Sequence, residues 1–133
     1  MLLADDHRFI LDGLRALLES EEGITVVGTT EDGHEAVRLV RELTPHVVVI
    51  DLSMPSLDGI EATRQIKAVR PTTQVVVLTG LADERTASRA LEAGALGYVA
   101  KDAATDELPR AIRAVADRKA FLSPGVAGNL LGR

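Results

Sequence analysis

Residues 47–55 read VVVIDLSMP, and the fold turns on how this stretch is understood. Four consecutive aliphatic side chains, 47–50, describe a strand buried on both faces, as in a parallel sheet covered by helices. The next residue is a carboxylate, Asp51, with Pro55 four positions on. A buried charge is costly unless a cation or hydrogen-bond donors meet it. Asp51 therefore either emerges into a solvated turn or is placed to meet a ligand.

Outward from this strand, short apolar runs alternate with helical periodicity. Residues 2–4 form a brief first strand, and residues 7–20 place Ile10, Leu14, Leu17 and Leu18 on one helical face. Residues 24–27 (ITVV) read as the second strand, closed by Gly28. Asp32 suits the N-cap of a second helix that carries Ala36, Leu39, Val40 and Leu43 and ends before Pro45. A third helix spans 60–69 ahead of Pro71, and the fourth strand spans 75–78. A fourth helix, 83–93, ends at Gly94, the residue type expected just past a helix C-terminus. A fifth strand covers 97–100 and a fifth helix 105–118, with Leu108, Ile112 and Val115 inward. Ser123-Pro124 suits the start of a short terminal helix. Five strand–helix units imply an α/β, doubly wound, five-stranded parallel sheet with helices on both faces.

In such sheets ligands bind beyond the carboxyl ends of the strands. The first strand is followed by Asp5-Asp6, the third by Asp51, the fourth by Thr79-Gly80 and the fifth by Lys101-Asp102. Taken singly, each has a plain structural role. Asp5 or Asp6 could cap a helix, Asp51 could belong to a turn, Thr79 suits a strand end, and Lys101 could be a solvated charge. Gly59 would relieve a positive-φ turn before the third helix. Taken together, three carboxylates, a hydroxyl and an ammonium share one edge. Clustered carboxylates suit a hard, oxygen-seeking cation such as Mg²⁺. A carboxylate beside that cation can attack phosphorus to give an aspartyl phosphate, with positive charge neutralising the transferring oxygens.

Composition narrows the field. The chain has 133 residues, enough for one domain, and 46% of them are apolar. A net charge of -5 argues against a nucleic-acid surface. The absence of cysteine excludes disulfides and thiol chemistry, and no apolar run approaches a membrane span. The expected compartment is the cytoplasm. Two Phe, one Tyr and no Trp leave little to stack on a flavin or a base. His7, His34 and His46 show no metal-ligand spacing and read as surface or loop residues.

The segments LLADDH, VVVIDLSMPSLDGIEATRQIK, VVVLTG and GALGYVAKDA, covering nearly the whole chain, resemble the receiver domain of two-component response regulators. GLRALLE and GYVAKDA resemble most the branch whose receivers precede a LuxR-type helix-turn-helix domain. The resemblance implies a flavodoxin-like sheet of order 2-1-3-4-5, with the receiver at 1–118 and a tail or linker at 119–133. It implies that Asp51 is the phosphoacceptor and Asp6 a direct Mg²⁺ ligand, with Asp5 acting mostly through water and Ser53 contributing its carbonyl. Thr79 and Lys101 would bind the phosphoryl group, and Tyr98 would be the aromatic switch. The domain would be no enzyme in its own right, although it would assist its own phosphorylation and dephosphorylation. A sensor histidine kinase would be the donor and a homodimer possible. DNA would be reached only through an output domain outside this chain, and transcription would be the regulated process.

Lys101 is followed by Asp102 where many receivers carry proline, so a cis peptide is not expected there. The first strand starts almost at Met1, pointing to a trimmed or misplaced start, and the chain stops at Arg133, where a linker would begin. Two other readings fare worse. A phosphatase of the haloacid-dehalogenase type wants a second Asp two residues after the nucleophile, and that position is Ser53. A flavin- or nucleotide-binding module wants a Gly-rich loop after the first strand, where Asp5-Asp6 stand instead. A degenerate receiver would lack part of the acceptor set, which is complete here.

Overall fold

The computed structural model describes residues 1–80 and 82–124. In chain order they form β1 (Leu2–Ala4), α1 (Arg8–Glu19), β2 (Gly28–Thr30), α2 (Gly33–Leu43), β3 (Val47–Asp51) and α3 (Gly59–Val69). Next come β4 (Gln74–Thr79), α4 (Glu84–Ala93), β5 (Gly97–Ala100), α5 (Ala104–Ala116) and β6 (Phe121–Leu122), with a 3-10 turn at Lys101–Ala103. The strands make one sheet in the order β2-β1-β3-β4-β5-β6, and all the pairings are parallel. The expected order 2-1-3-4-5 thus gains a sixth strand beyond β5.

Strand alternation sorts the core into two layers. Leu2, Ala4, Val48, Ile50, Val75, Val77 and Tyr98 pack against α2, α3 and α4 on one face. Leu3, Val47, Val49, Val76, Leu78 and Val99 pack against α1 and α5 on the other. The unbroken aliphatic runs are required because both sets are buried. Helix starts follow capping chemistry: the side chains of Asp32, Asp58 and Asp83 accept from the amides of His34, Glu61 and Thr86. Gly94, at φ 110, closes α4 in the left-handed conformation. Among the described residues no helix is long and apolar enough to cross a membrane.

Two expectations need correction. The second strand lies at Gly28–Thr30, not at 24–27, because its ladder runs opposite Leu2–Ala4. Residues 24–27 still flank the sheet: Val27 donates to the Met1 carbonyl, while Ile24 and Val26 pack on the α1–α5 layer. β-Branched content reported apolar contact there, not ladder position. Gly59 has no positive φ. It is glycine because a Cβ would stand 2.5 Å from the Asp51 carbonyl oxygen and 2.7 Å from Leu52 Cα. Of the expected terminal helix, residues 125–133 lie outside the described residues.

Candidate phosphoacceptor site

β1, β3, β4 and β5 all end at the same edge, and the loops beyond them carry the polar residues. β1 delivers Asp5, whose amide donates to the Thr30 carbonyl and whose carboxylate accepts from the His7 amide at 2.9 Å. β3 delivers Asp51 as its last residue, opposite Leu78 of β4. Thr79, the last residue of β4, lies in register with Ala100, directly before Lys101. The β3–α3 loop is drawn against this edge: Leu52 donates to Leu78, and Gly59 donates back to Leu52. The close approach of Gly59 brings α3 under Asp51.

Asp5 and Asp51 are fully buried, and Thr79 is 4% exposed. Lys101 Nζ lies 3.0 Å from Asp51 Oδ2 and 3.7 Å from Asp5 Oδ2. The Ser53 amide donates to Asp51 Oδ1 at 3.2 Å. Burial, the largest influence, pushes the Asp51 carboxyl above its ordinary value, and the Asp5 charge adds to the rise. The Lys101 and Ser53 hydrogen bonds oppose that rise without cancelling it.

The cation expected here passes a structural test. Asp5 Oδ2 and Asp6 Oδ1 are buried acceptors that receive no hydrogen bond. Buried oxygens in native proteins almost always find a donor or an ion. Potential ligand atoms of Asp5, Asp6, His7 and Asp51 lie within 4.8 Å of one another. The three carboxylates of that set suit a hard divalent ion. The acidic cluster can therefore hold a metal.

His7 is the surface loop residue the sequence suggested, and it also touches the site. Its Nδ1 lies 3.0 Å from Asp6 Oδ1 and 3.4 Å from Asp5 Oδ1, so the imidazole borders the acidic cluster. His spacing along the chain gave no hint, since its partners are carboxylates; adjacency to Asp5-Asp6 was the available signal. His34 is not in that cluster; its amide serves the Asp32 cap. Tyr98 stands apart from the acidic edge. It is fully buried in the α2–α4 layer, and its hydroxyl donates to the Asp83 carbonyl at 3.3 Å.

Known proteins resemble this chain in sequence and fold. The family model described as the response regulator receiver domain matches residues 1–113. The transcriptional regulatory protein LiaR of Bacillus subtilis strain 168 is 42% identical over 133 residues, all of this chain and 63% of LiaR. Among solved structures, a LuxR-family two-component response regulator from Aurantimonas sp. SI85-9A1 superposes with a TM-score of 0.91 at 40% identity, covering 95% of this chain and 90% of that one. The isolated receiver of RcsB from Salmonella enterica serovar Typhimurium, in the presence of the phosphomimetic BeF3-, gives a TM-score of 0.86 at 35% identity, covering 95% and 94%. The chain spans about three fifths of the length of the curated relatives it matches. On fold, edge chemistry and these likenesses together, the chain belongs to the family of response regulator receiver domains, in its LuxR-type branch.

Proposed function

We propose that Asp51 accepts a phosphoryl group from a sensor histidine kinase, and that the change alters the surface around Tyr98 to control an output domain. The observation that carries this is the fully buried Asp51, held by Lys101 at 3.0 Å beside a carboxylate with an oxygen that no donor meets. Both Asp51 oxygens meet a donor, Oδ1 the Ser53 amide and Oδ2 Lys101, while Asp5 Oδ2 beside them receives no hydrogen bond. One ammonium therefore faces two buried carboxylates, and the pair is left short of positive charge.

In the transfer, an Asp51 carboxylate oxygen forms a bond to phosphorus as the P–N bond to the kinase's phosphohistidine breaks. The bonding electron pair leaves on the imidazole nitrogen. Lys101 neutralises charge on the phosphoryl oxygens, and the Thr79 hydroxyl donates to one of them. Asp5, Asp6, Asp51 and the Ser53 carbonyl would hold Mg²⁺, Asp6 directly and Asp5 mostly through water. When bound, the ion supplies electrostatic stabilisation of the transferring group. The domain is regulatory, and these same groups assist its own phosphorylation and the hydrolysis that resets it.

Residues 1–118 are the receiver, and 119–133 begin the tail or linker to a transcriptional output domain. The neighbour RcsB is described as dimers bound to DNA, which supports a homodimer of the whole protein, with DNA reached through that further domain as our reading. The acidic charge of this segment agrees, and we place the protein in the cytoplasm. The direct experiment is intact-protein mass spectrometry after acetyl phosphate and Mg²⁺. One phosphoryl increment is expected, lost in Asp51→Asn; full labelling of that variant at another residue would overturn the assignment.

A further inference from the structure

Ser123 joins three elements around the turn that presents Lys101. Its hydroxyl accepts from the Ala100 amide at 3.0 Å and donates to Glu107 Oε1 at 2.7 Å. Ala100 ends β5 directly before Lys101, and Glu107 lies in the first turns of α5. One hydroxyl therefore holds both sides of the 3-10 turn Lys101–Ala103, from which Lys101 reaches Asp51. The Ser123 amide donates to the Tyr98 carbonyl at 2.9 Å, and Phe121 donates to Leu96 at 3.1 Å, so β6 is itself pinned to β5. The Arg110 guanidinium sits 5.6 Å from the centre of the Phe121 ring, adding a tie from α5 to β6. Ser123 is 6% exposed, so water competes poorly for its hydroxyl.

A serine at a strand end commonly does no more than finish a ladder. Here the bonded amide belongs to the residue preceding the phosphate-binding lysine, and the second partner lies across the turn. We propose that Ser123 is a positioning residue for Lys101: it fixes the β5–α5 turn so that the ammonium is held over Asp51. The proposal rests on the phosphoacceptor reading of Asp51. It also makes the chain leaving the sheet part of the site's support, because displacing β6 would release the Ala100 amide and the turn after it.

The test compares wild type, Ser123→Ala, Ser123→Thr, Lys101→Ala and the double variant Ser123→Ala/Lys101→Ala, phosphorylated by acetyl phosphate at saturating Mg²⁺. Ser123→Ala should slow phosphorylation by about 10-fold, since small misplacements of a reacting group cost factors of this order. Ser123→Thr, which keeps the hydroxyl, should retain the wild-type rate. Ser123→Ala should add nothing to Lys101→Ala, because it acts through that side chain. An undiminished rate in Ser123→Ala, or an equal loss in both backgrounds, would overturn the proposal while leaving Asp51 as acceptor. A second readout needs no phosphorylation. The NMR shift of Lys101 Nζ should respond to Asp51→Asn in wild type and respond less in Ser123→Ala. An undiminished response would overturn the proposal even if wild type took up no phosphate, an outcome that would separately defeat the acceptor reading.

Discussion

Lys101 Nζ and Asp51 Oδ2 meet at 3.0 Å across fifty residues of chain, and this is the only cation–carboxylate pair among the described residues that closes on Asp51. It cannot balance the site. Asp51 and Asp5 are both fully buried, Asp6 adjoins them, and the Lys101 ammonium reaches only Asp51 and Asp5 among the three. Like charges held together cost folding stability, and a divalent cation would recover it.

Metal and charge are therefore linked to stability. The Asp51 carboxyl is pushed up from 3.8, so the folded state holds its proton more tightly than the unfolded chain. Its contribution is favourable below pH 3.8 and is lost as pH rises through the raised value, leaving ionised Asp51 a burden at neutral pH. Mg²⁺ should stabilise the fold by about 1.4 kcal/mol at roughly ten times its dissociation constant. Asp51→Asn and Asp6→Asn should melt higher than wild type in EDTA and gain less from Mg²⁺. Thermal melts with EDTA and with millimolar Mg²⁺ decide; a wild type indifferent to Mg²⁺ with both variants melting lower would end the shared-cation reading.

Lys101 should affect metal and phosphate in opposite directions. It lies 3.7 Å from Asp5 Oδ2 and so repels a cation arriving at the same carboxylates. Lys101→Met should tighten Mg²⁺ binding by about 10-fold, a modest share of the Coulomb energy of two charges at this separation. The same variant should slow phosphorylation, since the phosphoryl oxygens lose their ammonium. Mg²⁺ titration by NMR and acetyl phosphate kinetics measure the two effects. Weaker Mg²⁺ binding in this variant would show that Lys101 organises the carboxylates and does not merely balance them.

Gly59 should not tolerate a side chain. A Cβ would stand 2.5 Å from the Asp51 carbonyl oxygen, and backbone cannot yield as a flexible side chain can. Gly59→Ala should cost about 1–3 kcal/mol, the usual range for overpacking, and should slow phosphorylation by shifting Asp51. Denaturant unfolding reads the first and acetyl phosphate labelling the second. Unchanged stability would mean that α3 can move away from β3 freely.

Those residues also mark what the sequence made legible. The aliphatic runs of β3 and β4 declared themselves because parallel strands are buried on both faces, and their ends located Asp51 and Thr79. The cap residue Asp32 was legible because capping is local chemistry. β2 slipped because the apolar signal at 24–27 belongs to contacts with helices, whereas the ladder depends on where β1 lies. β6 has only two residues and no period to detect. Gly59 and Ser123 matter through neighbours that folding brings close, the Asp51 carbonyl and the Ala100 amide, and no local spacing encodes those contacts.

Tyr98 offers a direct optical report on the buried layer that connects to α4. It is the single tyrosine in a chain without tryptophan, so absorbance and fluorescence in this region come from one side chain. Burial, with the Asp83 charge added, pushes its hydroxyl from 10.0 up to about 12, although the bond to the Asp83 carbonyl works the other way. Because the folded value is raised, the neutral ring contributes stability that is present below pH 10 and is lost as pH rises through about 12. Spectrophotometric titration of the native protein should therefore show tyrosinate only well above pH 10, while protein unfolded in guanidinium titrates near the ordinary value. Tyr98→Phe keeps the ring and removes the bond to the Asp83 carbonyl, a loss of about 0.5–1.5 kcal/mol. If phosphorylation moves Tyr98, the native titration should shift when acetyl phosphate and Mg²⁺ are added, and Asp51→Asn should abolish that shift. A titration midpoint near 10 in the folded protein would place the hydroxyl in water and remove the buried ring from the switching surface. A raised midpoint that phosphorylation leaves unchanged would keep the ring buried in both forms and move the switch elsewhere on α4 or β5.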